Sequence, residues 1–328
     1  MAIADDLQRR WYQPDTPPAW WTLPLARLYG GVSGIRRWLY RRGVLRTQHL
    51  PVPVIVVGNI TAGGTGKTPL TIALVEALRA RGRKPGVVSR GYGGSAREPT
   101  LLGAQPDPTV VGDEPALIKL RTGVPVAVGA KRFEVAKLLT DQGVDVVIAD
   151  DGLQHYALAR DVEICVVDGP RRFGNGRLLP AGPLREPESR LQSVDFMVCN
   201  GSDPNAGEVP MALALAEAAA VADPSRRQPL AAFAGRRVHA VAGIGNPERF
   251  FETLRGQGID VLQHAFADHH RYAPADLAFG DELSVLMTEK DAVKCHAFAQ
   301  PGWWSVPVSA ALPDTFFDAV AARTGKPV

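Results

Sequence analysis

Short, uninterrupted apolar runs recur along the chain, each leading through a turn into a stretch with helical periodicity. Val54-Ile55-Val56-Val57 is the first of them. A run without polar alternation fits a strand buried on both faces of a parallel sheet. By this criterion residues 54–57, 85–89, 124–128, 144–149, 162–167 and 196–199 are predicted strands. Helices are predicted near 69–81, 114–121 and 131–142, with Pro69 suited to a first helical turn. Strands that alternate with helices imply an α/β fold, a mostly parallel sheet with helices on both faces.

The pattern then changes. Residues 169–193 are rich in Gly, Pro and Arg, which predicts a functional loop. Residues 203–236, Ala-rich and interrupted by four prolines, read as a connector. A second, smaller α/β unit begins at Val238, with a helix ending near Arg255 and strands at 259–262, 283–287 and 305–308. Three regions follow: 1–50, an N-terminal helical region; 51–205, the main unit; and 206–328, connector plus smaller unit.

Within the first region Trp21, Leu25, Leu28, Val32, Ile35 and Leu39 recur at helical spacing. Arg27, Arg36, Arg37, Arg41 and Arg42 fill much of the remainder. This is the pattern of a basic amphipathic helix on a membrane surface, and also of a helix packed on a core. Gly30, Gly31 and Gly34 weigh against a helix. Residues 1–50 hold eight arginines against three aspartates, so the net +3 of the chain is a property of its N-terminus. No aromatic–basic interleaving accompanies the charge, and a nucleic-acid partner is not expected. The 45% hydrophobic and 22% charged content is that of folded domains. Cys165, Cys199 and Cys295 are isolated, so neither a zinc site nor a disulfide framework is expected, and the chain reads as reduced and cytosolic. No secretory signal and no membrane span is expected.

Gly63-Gly64-Thr65-Gly66-Lys67-Thr68 lies where the first strand turns into a helix. Small residues let backbone N–H groups approach phosphates, and the helix N-terminus favours negative charge. Thr61 stands where the strict G-x-x-x-x-G-K-[ST] pattern has its first glycine. The arrangement still predicts a P-loop NTPase-like fold binding ATP through residues 61–68. Lys67 would reach the β/γ-phosphates and Thr68 would hold Mg²⁺. Asp150 and Asp151 end an apolar strand and are the expected acidic partners of that ion, with Glu114 a further candidate. Asp113 is the candidate base for an acceptor hydroxyl, in a turn before a helix. Arg90, Tyr92, Lys131 and Arg132 follow strand ends, where α/β folds bind ligands, and are expected to hold the acceptor. One of Arg171, Arg172, Arg177 and Arg185 is expected to face transition-state charge. Asn200 is followed by Gly201 rather than the lysine of a guanine signature, which argues against a GTPase.

Several segments together carry a resemblance. They are Gly58 to Pro69, Ser89-Arg90-Gly91-Tyr92-Gly93, Gly112-Asp113-Glu114-Pro115, Asp150 to His155 and Leu178 to Glu186. Ala242 to Pro247, Asp268-His269-His270 and Thr288-Glu289-Lys290-Asp291-Ala292 complete the set. In order and spacing they resemble the tetraacyldisaccharide 4'-kinases of Gram-negative bacteria. The resemblance implies transfer of the γ-phosphoryl of ATP to the 4'-hydroxyl of tetraacyldisaccharide 1-phosphate, in lipid A biosynthesis. It also implies work at the cytoplasmic face of the inner membrane, with residues 20–42 at the membrane surface. It gives Asp113 a histidine partner, His269, with His270 beside it left as an alternative. His155 would support the site, and Glu289 and Lys290 would border the nucleotide. The competing reading is a membrane-associated P-loop ATPase or GTPase switch.

Overall fold

The uninterrupted apolar runs become strands buried on both faces. All five residues of β1 (Val54–Gly58) are buried, as are those of β2 (Pro85–Ser89). β3 (Thr100–Leu101), β4 (Val126–Val128), β5 (Val146–Asp150), β6 (Val162–Asp168), β7 (Phe196–Asn200) and β8 (Glu208–Leu215) follow. A second group comprises β9 (Ala218–Ala220), β10 (Arg227–Gln228), β11 (Arg237–Ala242), β12 (Asp260–Ala265), β13 (Val285–Thr288) and β14 (Trp303–Val306). β15 (Val308–Ala311) comes last. The helices are α1 (Ala2–Tyr12), α2 (Thr22–Arg41), α3 (Lys67–Ala80), α4 (Pro108–Val111), α5 (Asp113–Thr122), α6 (Arg132–Thr140), α7 (Pro247–Gly256), α8 (Glu289–Cys295) and α9 (Asp314–Arg323). The computed structural model describes residues 2–13, 16–201 and 203–325.

Two sheets form among the described residues. The large one has the order β15-β8-β7-β6-β1-β5-β2-β4-β3, and the small one β10-β9-β14-β13-β11-β12. In the large sheet β8, β7, β6, β1, β5, β2 and β4 run parallel, with antiparallel strands at both edges. Side chains alternate across each strand and divide the core into two layers. Ile55 and Val57 face a layer containing Leu70, Leu74 and Leu78 of α3 and Ile118 of α5. Val54 and Val56 face the other, with Val135 and Leu139 of α6. Helices thus cover both faces.

Parallel pairing brings the carboxyl ends of the strands to one edge. Val57 pairs with Asp150 of β5, Gly58 with Cys165 of β6, and Asp168 with Asn200 of β7. Side chains that follow these ends, scattered along the sequence, share one crevice.

Residues 203–236, expected as a connector, carry β8, β9 and β10. Alanine is a weak strand former, and these strands form through backbone pairing to neighbours rather than through pattern. β8 joins the large sheet, and β15 returns to pair with it. α9 then packs Phe316, Phe317 and Val320 into the large-sheet core. So residues 208–215 and 308–323, which the sequence places with the second unit, lie on the first.

Residues 22–41 are helical despite their three glycines. Along α2, Leu25, Leu28, Val32, Ile35 and Trp38 are 47–65% exposed, whereas Leu39 is half-buried. The helix is tied to the large unit by Tyr29 Oη, which donates to the Arg185 carbonyl at 3.0 Å, and by Arg36, which donates to that of Gln154 at 3.2 Å. No helix among the described residues is long and apolar enough to cross a membrane.

Phe251 of α7 is 1% exposed and fills the small-sheet core beside Phe233 and Leu286. Phe251→Ala is expected to destabilise the protein by about 3–5 kcal/mol. Denaturant unfolding measures this, and a loss below about 1 kcal/mol would contradict the packing described.

Candidate active site

β1 ends at Gly58, and the chain passes through Asn59–Gly66 into α3. Gly66 has φ +94°, and a Cβ there would sit 2.6 Å from Asn200 Nδ2. Glycine is therefore required both by conformation and by space. Asn200, at the end of β7, donates from Nδ2 to the Thr65 carbonyl at 2.9 Å and fixes the loop. Lys67 Nζ donates to Asn59 Oδ1 at 3.4 Å and lies 3.5 Å from Asp151 Oδ1. On the other side the loop is pinned by the segment near 183–185. Ala62 N donates to the Pro183 carbonyl at 2.7 Å and Arg185 N to that of Ile60 at 2.7 Å. Gly63–Thr68 line the crevice; Thr61 and Ala62 lie behind them, beside Pro183 and Leu184.

The crevice is a cavity of about 1010 Å³ between the two sheets. Asp150 projects beneath it, 1% exposed. It accepts a hydrogen bond from Thr71 Oγ1 at 3.0 Å, while its Oδ2 is buried without a partner. Burial, then Glu114 and Asp151, push its carboxyl well above the ordinary carboxylate value. Asp151, at φ +48°, behaves oppositely. Burial opposes its charge, but Lys67 and Arg185 hold it at about 2. Arg185 reaches both Asp151 oxygens at 3.0 Å. A loop arginine thus enters the site. Arg172 instead pairs with Glu208, 2.6 Å away.

Asp113 opens α5. Gly112 before it has φ +91°, and a Cβ there would meet the Tyr92 carbonyl at 2.6 Å. The tight passage fixes the backbone that carries Asp113. His269 Nδ1, from the loop after β12, lies 3.0 Å from each Asp113 oxygen. Burial opposes the Asp113 charge, but the His269 hydrogen bond and the Lys290 ammonium hold its carboxyl below the ordinary value. The hydrogen bond that His269 donates to Asp113 in turn raises the imidazole against burial. His270 turns away and meets Asp276 at 3.1 Å. The side chains of Asp113 and His269 therefore meet across the two sheets, 156 residues apart in sequence.

Arg90 and Tyr92 line the crevice, and the Tyr92 ring packs edge-on against His269 at 5.1 Å. Arg132 also lines it but is 3% exposed, and it donates from Nη2 to the Asp150 carbonyl at 3.1 Å. Lys131 is exposed and does not line the crevice. From sequence, Asn200 was weighed only against a guanine signature, and Arg249 was not singled out. Arg249 of α7 donates to Asn200 Oδ1 at 3.3 Å and approaches Asp168 at 3.9 Å. An asparagine ending an apolar run was a usable signal for the first; nothing marked the second. Glu289 meets Arg121 at 2.7 Å, a second bridge between α8 and α5.

His155 lines the same crevice. Burial, together with Arg132, Arg160 and Arg36, lowers its imidazole to about 4. A histidine depressed in the folded state stays neutral while the unfolded chain takes up the proton. Its contribution is complete above the ordinary 6.5 and is lost as pH falls from there to about 4. His155→Gln is expected to flatten the stability–pH curve over that interval, read from urea midpoints. An unchanged slope would contradict a neutral, buried His155.

Comparison with known proteins agrees with this architecture. The sequence model of the Tetraacyldisaccharide-1-P 4'-kinase family matches residues 18–324. A Tetraacyldisaccharide 4'-kinase of Stenotrophomonas maltophilia is 55% identical over 326 residues, covering 96% of each chain. One from Xanthomonas axonopodis pv. citri is 53% identical, covering 96% of this chain and 95% of that one. The crystal structure of LpxK from Aquifex aeolicus in complex with ATP superposes with a TM-score of 0.78 at 27% identity, over 92% of this chain and 98% of that one. With a crevice built from a phosphate-binding loop and two lobes, and with relatives matched along almost its whole length, this chain belongs to the tetraacyldisaccharide-1-P 4'-kinase family.

Proposed function

We propose that the crevice transfers the γ-phosphoryl group of ATP directly to the 4'-hydroxyl of tetraacyldisaccharide 1-phosphate, with Asp113 taking the hydroxyl proton. The single observation that carries this reading is His269, which lines the same crevice as Lys67 and lies 3.0 Å from the Asp113 carboxylate. Phosphoryl transfer to an alcohol asks chiefly for positioning and for charge stabilisation. The amides of Gly63–Thr68 and the Lys67 ammonium would hold the phosphates. Asp113 would accept a hydrogen bond from the attacking hydroxyl and then its proton. The Nδ1–H of His269 would hold the carboxylate in line. Arg90 and Tyr92 would orient the acceptor and its 1-phosphate. Arg185 would bring a cation beside Lys67 as charge develops on the transferring group.

The orphaned Asp150 Oδ2, beneath the crevice that Thr68 lines, fits Mg²⁺. Mg²⁺ commonly takes few carboxylates and several oxygens from water and phosphate, so a cage of protein ligands is not required. Thr68 and Asp150 are the proposed ligands. Asp151 and Glu114, both expected from sequence, are engaged by Arg185 and Lys290. When bound, the ion would neutralise phosphate charge.

The membrane role of α2 is also a proposal. An exposed apolar stripe beside Arg27, Arg37 and Arg41 suits an anionic bilayer surface, and the enzyme would work at the cytoplasmic face of the inner membrane. The acyl chains of the acceptor would then stay in the bilayer.

Lys67→Ala is expected to lower kcat/KM by roughly 10²–10³-fold. Asp113→Ala is expected to lower kcat by about 10²–10⁴-fold with little change in the KM for ATP. Transfer of label from γ-labelled ATP to the lipid in mixed micelles measures both. Near-parental turnover by Asp113→Ala would remove it as the base. Replacing Leu28, Val32 and Ile35 together by Glu should abolish flotation with anionic vesicles while leaving the unfolding midpoint near the parent value. A triple variant that floats like the parent would refute the surface helix.

A further inference from the structure

The motif Thr288-Glu289-Lys290-Asp291 divides into two pairs of residues that face opposite ways. Thr288 caps α8, its Oγ1 accepting from Asp291 N at 3.2 Å. Asp291 is 0% exposed and its Oδ2 accepts from Gly243 N at 2.9 Å, locking α8 to the small sheet. Lys294 supports that carboxylate at 2.8 Å. Glu289 and Lys290 then point outward, across the junction to α5.

Lys290 arrives among four groups at once. Its Nζ lies 3.2 Å from Glu114 Oε1 and 3.2 Å from Asp268 Oδ1. It is 3.5 Å from His269 Nε2 and 3.7 Å from Asp113 Oδ2. Its side chain is only 16% exposed. Burying an ammonium is unfavourable unless it is paired and hydrogen-bonded, and here three carboxylates meet it. The same cation keeps Asp113, Glu114 and Asp268 from repelling one another.

We infer that Lys290 is a positioning residue for phosphoryl transfer, which orients the Asp113–His269 pair and makes that pair depend on contact between the two sheets. The inference rests on the proposed role of Asp113 as base. The Lys290 ammonium, 3.5 Å from Nε2, disfavours a proton there, while Asp113 favours the N–H at Nδ1 that it accepts from. Asp113 is left as the group that receives the hydroxyl proton, with His269 holding it. Because Lys290 stands on α8 and Asp113 on α5, separation of these helices would dissolve the arrangement. This differs from the role of bordering the nucleotide that family resemblance implies for Lys290.

The test compares Lys290→Met, Lys290→Arg and Asp113→Asn, singly and with Lys290→Met combined with Asp113→Asn, in the full-length protein. The readout is steady-state phosphorylation of tetraacyldisaccharide 1-phosphate. Lys290→Met should lower kcat roughly 10- to 100-fold, the effect of losing charge-assisted hydrogen bonds, while the KM for ATP stays at the parent value. That unchanged KM also shows that the variant folds. Lys290→Arg should recover part of the rate by restoring the cation, though its planar fork fits less well. In the Asp113→Asn background, Lys290→Met should cost no further rate. A raised KM for ATP with kcat unchanged would make Lys290 a nucleotide contact and overturn the inference. So would a full additional loss in the combined variant. If Asp113→Asn is inactive but Lys290→Met turns over normally, only the role given to Lys290 fails. If Asp113→Asn turns over normally, the base assignment fails and this inference with it.

Discussion

Four carboxylates, Asp113, Glu114, Asp150 and Asp151, crowd the edge of one crevice, and the site depends on how their repulsion is answered. Parallel pairing forces part of this crowding, since it ends β5 beside β1. Lys67 and Arg185 meet Asp151, and Lys290 meets Asp113 and Glu114. Asp150 is left with the buried, unpartnered oxygen. The carboxylates are thereby sorted: Asp151 and Asp113 are held ionised by cations, while burial pushes Asp150 toward its neutral form. A site of this kind has fixed charges in place before ATP arrives, which is the usual source of electrostatic stabilisation.

The small sheet does more than cover the crevice. It supplies His269 and Lys290 to Asp113, Arg249 to Asn200, which holds the phosphate-binding loop, and Glu289 to α5. The chain crosses between the sheets at residues 215–218 and again at 306–308, so two adjacent strands connect the lobes. The site is complete only where α5 and α8 pack together.

Much of this was legible in the chain itself. Continuous apolar runs identified the buried parallel strands, because burial on both faces removes polar alternation. Gly66-Lys67-Thr68 after such a run marked the phosphate loop. Resemblance named the Asp113–His269 pair, and the geometry brings these two together while sending His270 to Asp276. Other features had no local signal. Lys290 is one lysine in a short helix, and its partners come from positions 113, 114, 268 and 269, which only the topology brings together. Ala218–Ala220 is a strand through backbone pairing, so composition could not show it. The hydrogen bond from Ala62 N to the Pro183 carbonyl likewise joins positions far apart in the chain. α9 carries its apolar residues on a helical stripe, yet its destination, the large-sheet core, is set by the return of β15.

The proposed role of Asp113 implies a single direct transfer, with the acceptor hydroxyl attacking the γ-phosphorus while Asp113 takes its proton. ATP made chiral at the γ-phosphorus with oxygen isotopes reports the number of displacements. One in-line displacement inverts the configuration, and inversion in the phosphorylated lipid is the predicted result. Retention would mean two displacements through a phosphorylated side chain, and would contradict the assignment of Asp113 and His269 as a base and its support.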